Sequence, residues 1–173
     1  MYPLIRLDPV RLRLQALILI GFVVLAVDSA SAQDSAFAAM QDRGREAMGV
    51  DQYTSSHVFE SLADGGRIVL RRDVADSAGV AAIRAHMRDI AGRFAAGDFT
   101  LPGLVHAQEV PGTLVMAQRR DRISYSADTL PQGGQVRITT ADPASLEAIH
   151  AFLAFQRDAH HAAGHDHYPA QPR

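Results

Sequence analysis

The chain has 173 residues with no cysteine and no lysine, so all 17 basic residues are arginine, and its formal net charge is −2. The missing cysteine excludes disulfides, thiolate-bound metals, iron–sulfur clusters, thioether-linked haem and a cysteine nucleophile, leaving His, Met and carboxylate as possible metal ligands. Weak net acidity offers no electrostatic attraction to nucleic acid or to an anionic membrane, so neither is expected as a partner.

Residues 1–32 read as a signal peptide. Arg6, Arg11 and Arg13 form a cationic start, LQALILIGFVVLAV (14–27) an apolar stretch, and Ala30-Ser31-Ala32 a small-residue cleavage motif before Gln33. A spanning helix needs roughly 20 apolar residues, so this run favours a cleaved leader over a retained anchor. The expected location is periplasmic or secreted, with cleavage after Ala32 and no membrane partner thereafter. Residues 33–53 form a polar N-terminal arm with one short helix around Ala36 to Ala47.

A pattern then occurs twice. TSSHVFESL (54–62) leads through a turn at Asp64-Gly65-Gly66 into RIVLRR (67–72), and a helix runs from Ser77 to Ala96. RISYSAD (122–128) leads through Pro131-Gln132-Gly133-Gly134 into QVRITT (135–140), and a helix runs from Pro143 to His161. In both halves two short strands meet at a Gly-Gly hairpin, and an acid-capped helix follows. Ile123, Tyr125 and Ala127 alternate with Ser124, Ser126 and Asp128, which predicts a sheet with one wet face. Ile83, Met87, Ile90 and Phe94 form one apolar helical stripe, and Leu146, Ile149 and Leu153 form another. The expected fold is a two-layer α+β sandwich: a (ββα)₂ chain with an antiparallel sheet and two helices on one face, occupying residues 54–161. Between the halves, GDFTLPGLVHAQEVPG (97–112) reads as a long turn-rich loop, and residues 162–173 as a flexible His-rich tail.

All eight histidines lie beyond the leader: His57, His86, His106, His150, His160, His161, His165 and His167. Imidazole is the commonest protein ligand of transition metals. Two zones are expected. One is internal, drawn from His57, His86, His106 and His150, with Met87 or Met116 as soft ligands. The other is the tail His160, His161, His165 and His167, where Gly164 ends the helix and leaves at most weak capture. A hydrogen-bonded boundary role is the plainer reading of any single internal histidine. No HExxH, GxSxG, P-loop or dinucleotide motif is present.

The segments MGVDQYTSSHVF (48–59), ADGG (63–66), IRAHMRDIAGRFAAGDFTLPGLVH (83–106), VPG (110–112) and AIHAFLAFQRDAHH (148–161) resemble a group of small exported bacterial proteins of uncharacterised function. The resemblance covers most of the chain after the leader. Members of that group often carry the name aspartate carbamoyltransferase. That name does not fit: those enzymes are about twice this length, cytosolic, and use a Ser-Thr-Arg-Thr phosphate loop and a lysine. The resemblance implies a histidine cluster at His57, His86, His106, His150 and His160.

Together these readings predict a periplasmic protein that binds copper or zinc through clustered histidines, with a metal ion or small ligand as its partner. Two other classes stay open. One is a His-assisted hydrolase or lyase using His106 and Glu109. The other is a non-catalytic interaction or ligand-carrying domain, with non-covalent bis-histidine haem as a variant.

Overall fold

The computed structural model describes residues 34–47, 49, 54–162 and 166–167. The expected leader, residues 1–32, and most of the tail lie outside them. The chain divides into residues Met1–Ala38 and a second unit, Ala39–Arg173, which contains the sheet and every histidine. Among the described residues no helix is long and apolar enough to cross a membrane.

A helix over residues 34–47 (α1) precedes strands β1 (Ser55–Leu62) and β2 (Gly65–Arg72), then helix α2 (Ser77–Ala95). Two short helices follow, α3 (Thr100–His106) and α4 (Thr113–Gln118). Strands β3 (Ile123–Leu130) and β4 (Gly133–Thr140) lead to α5 (Pro143–Ala159). The sheet order is β3-β4-β2-β1, antiparallel throughout, and a two-residue strand β5 (Asp166–His167) adds parallel to β1. The fold is α+β, with the ββα unit present twice.

The repeat is closer than the pattern of residue types suggests. Each strand of the first half recurs 68 positions later with the same length, Ser55–Leu62 as Ile123–Leu130 and Gly65–Arg72 as Gly133–Thr140. Both hairpins share one register, since Leu62 pairs with Gly65 and Leu130 with Gly133. Where β2 meets β4, Ile68 pairs with Val136, its own counterpart. A pseudo-two-fold axis therefore passes through that pair.

The helices cross over this axis. Helix α2 packs on β3 and β4, while α5 packs on β1 and β2. Both cover the same face, because Phe59, Ile68, Leu70, Val136 and Ile138 join Ile83, Ile90, Phe94, Ile149, Phe152 and Leu153 in one buried cluster. Each helix starts on an aspartate cap, Asp76 accepting from the Gly79 N–H and Asp142 from the Ser145 N–H. Each also ties down the opposite hairpin. Arg84 of α2 donates to the carbonyls of Leu130 and Gly133, and His150 of α5 donates to those of Leu62 and Gly65. These carbonyls are equivalent under the 68-residue shift.

Two expectations are corrected. The Gly-Gly pairs are not turn residues: the turns are Ala63-Asp64 and Pro131-Gln132, and the glycines open β2 and β4. Their role is close approach, since a Cβ on Gly65 would stand 2.1 Å from the Ile138 carbonyl oxygen and one on Gly133 2.0 Å from that of Leu70. The segment 97–112 is not a simple loop either. Asp98 binds the Thr100 backbone N–H and hydroxyl, starting α3, and Ala107 ends it in the left-handed region.

Candidate functional site

The end of the helix pair nearest the start of β1 holds a small, partly open cavity of about 80 Å³. Its walls are apolar except for four imidazoles and one amide. His57 reaches it from β1, His86 from the middle of α2, His106 from the last residue of α3, and His160 from the C-terminal cap of α5. Four separate elements thus deliver one ring each. Period decides the contribution of α5: Phe152, Gln156 and His160 recur every fourth residue, forming one stripe that lines the cavity. Phe59, Met87, Ile90 and Phe94 fill in beneath. Gly44 and Ala47 of α1 and Leu101, Pro102 and Val105 of α3 complete the wall, with Arg43 donating from Nε to the Val105 carbonyl at 2.8 Å.

Three of the four rings are in contact through His160. His57 and His160 stack with centroids 5.1 Å apart, and His106 meets His160 edge-on at 5.0 Å. Phe59 flanks the first pair and Phe155 stands 4.9 Å from His106. His106 Nε2–H donates to Gln156 Oε1 at 2.9 Å, which leaves its Nδ1 as the ring's free lone pair. His160 Nδ1 is buried with no hydrogen-bond partner. A buried orphan of this kind costs roughly 1–3 kcal/mol. Among the described residues no three His, Asp or Glu side chains form a ready-made metal group.

All four imidazoles are held neutral. Burial pushes His57 down to about 4, with the nearby His86 adding to the effect and Asp73 opposing it. Burial brings His160 down to about 3, reinforced by His57, His106 and His161. His86 and His106 are lowered as well, in each case chiefly by burial. Neutral imidazole is the metal-binding form.

An acid-stability prediction follows. In the unfolded chain these rings titrate near 6.5, so between that pH and about 4 for His57, or about 3 for His160, the unfolded state binds more protons. Stability is complete above the unfolded value, falls as pH drops through this window, and levels off below the folded values. Lowering the pH from 7 to 5 is expected to cost the metal-free protein roughly 2 kcal/mol from each of these two rings. Urea unfolding at the two pH values measures it, and an unchanged midpoint would contradict the burial of these imidazoles.

His150 lies apart from the cluster. It is 10 positions before His160 on α5, about 80° away around the helix, and its Nε2–H is engaged by the β1–β2 turn. Its role matches that of Arg84 in the other half. Met116 is fully buried in the core and does not line the cavity, whereas Met87 does. Glu109 is exposed and is not among the lining residues, so its expected pairing with His106 has no geometry behind it. His161 is exposed, and His165 and the His167 side chain lie outside the described residues. Gln156 carries no sequence signal of its own beyond its spacing of four from His160, which places the two on one face. Comparison with known protein families, characterised proteins and solved structures gives no match for this chain.

Proposed function

We propose that this is an exported protein that binds a transition metal ion, copper or zinc, through His57, His86, His106 and His160. The observation that carries the reading is the convergence of four neutral imidazoles, from four separate elements, on one cavity whose remaining wall is largely apolar. A fold gains nothing in stability from burying His160 Nδ1 without a partner, and an ion that accepts this lone pair accounts for it. With the rings of His57, His106 and His160 already in contact, coordination requires the imidazoles to turn toward a common point beside the cavity. A porphyrin is far larger than about 80 Å³, so the cavity's size disfavours the haem variant. The enzyme reading loses its proposed acid–base partner in Glu109.

The test is titration of metal-free protein with copper and zinc beside a synthetic peptide of residues 160–173. The expected result is one ion per chain, bound at least tenfold tighter than by the peptide. Equal affinities would assign all binding to the tail and end the internal site.

A further inference from the structure

Resting on that reading, we infer that the ion is monovalent copper, Cu(I), and that the Met87 thioether is one of its ligands. Charge is the first argument. Among the described residues the cavity wall carries no carboxylate, so an ion there meets only neutral donors and hydrocarbon. The cost of moving an ion out of water rises with the square of its charge, so a divalent ion faces about four times the penalty of a monovalent one, and Asp73 and Asp89, which act on His57 and His86 from outside the wall, offer it no ligand. Ligand type is the second argument. Beside the imidazoles the wall includes one sulfur-bearing residue, Met87, which is 2 % exposed. Thioether with imidazole is a soft set that selects Cu(I), whereas zinc sites draw on thiolate, imidazole and carboxylate.

Coordination number is the third argument. Zinc is held by three or four protein ligands in a tetrahedron, and Cu(II) prefers a tetragonal plane. The described residues contain no preformed group of three such ligands. The close ring pairs His57–His160 and His106–His160 stand at 27° and 88°. Cu(I), like zinc a d10 ion without ligand-field preference, differs in being stable with only two or three donors. It therefore requires the least rearrangement of these rings.

The test uses metal-free protein under anaerobic conditions. Cu(I) is supplied from a chromophoric chelator, and Zn(II) is titrated against an indicator dye. Cu(I) is expected to bind one per chain and at least tenfold tighter than Zn(II). Met87→Leu, checked for folding by circular dichroism, is expected to weaken Cu(I) at least tenfold and leave Zn(II) unchanged. Copper-edge X-ray absorption of the unaltered protein reads the sulfur ligand without relying on any variant. Tighter Zn(II), an unaffected Met87→Leu or a spectrum with nitrogen donors only would overturn this inference while leaving a metal site in place. Failure of both ions to bind beyond the level of the tail peptide would instead remove the reading on which it rests.

Discussion

Replacing His160 by phenylalanine is expected to stabilise the metal-free protein and to abolish its metal binding. The two rings are close in shape, so the stack on His57 and the edge contact with His106 can persist. What disappears is the buried Nδ1 that has no partner. Removing an unsatisfied buried group is worth about 1–3 kcal/mol at pH 7, against a smaller cost for the slightly larger ring. The gain grows as the pH falls, because burial holds the His160 ring down at about 3 and the variant has no proton to take up there. By pH 5 the advantage should be larger by roughly 2 kcal/mol. Metal affinity should drop on the order of 100-fold or more, since even residues that only support a ligand are worth 10–100-fold. Urea unfolding and metal titration of the same sample measure both effects. A variant less stable than the parent at both pH values would mean that His160 is an ordinary core residue with a satisfied ring.

Gly65→Ala is expected to have the largest effect on folding. Gly65 has φ 141°, and an added methyl carbon would stand 2.1 Å from the Ile138 carbonyl oxygen across the β2–β4 pairing. That atom is backbone and cannot step aside, so β2 and β4 must separate at the centre of the sheet. The loss should exceed about 4 kcal/mol, at the extreme of single substitutions. Pseudo-symmetry extends the prediction to Gly133→Ala, where the same contact falls on the Leu70 carbonyl at 2.0 Å. Gly92→Ala is the control. It lies exposed within α2 with open space around its Cβ, and should stabilise by up to about 1 kcal/mol. Thermal unfolding of the three variants settles the ranking, and a mild effect at Gly65 would refute the close approach of the central strands.

Much of the fold was legible in the sequence because the strands and long helices repeat their residue types with clear periods. The alternation of Ile123, Tyr125 and Ala127 and the stripe Ile83, Met87, Ile90, Phe94 predicted the layers correctly. The short helices α3 and α4 escaped, because seven and six residues are too few to show a helical period and Pro102 and Gly103 mimic a turn. The Gly-Gly pairs were mistaken for turns because close packing of two backbones and a positive φ call for the same residue. Nothing local distinguishes them; only the pairing of β2 with β4, remote in sequence, does.

The site was legible as a set of histidines and opaque as a geometry. Position along the chain puts His57, His86 and His106 in one zone and His160 in another, whereas the resemblance groups them; all four line one cavity. Their meeting depends on α5 crossing to pack on β1, which no sequence period encodes. His150 was grouped with them because it shares their residue type. Its rotation around α5 aims it at the β1–β2 turn, where Arg84 shows that an arginine can do the equivalent work in the other half. Gln156 is readable from its spacing to His160, but an amide carries no metal chemistry of its own to mark it as part of a site.

Nitrogen-edited NMR of the histidine side chains during metal addition tests the central claim most directly. The ring signals of His57, His86, His106 and His160 are predicted to move together at one equivalent, with His150 unchanged. Signals that shift only for His161, His165 and His167, with those four rings still, would contradict it.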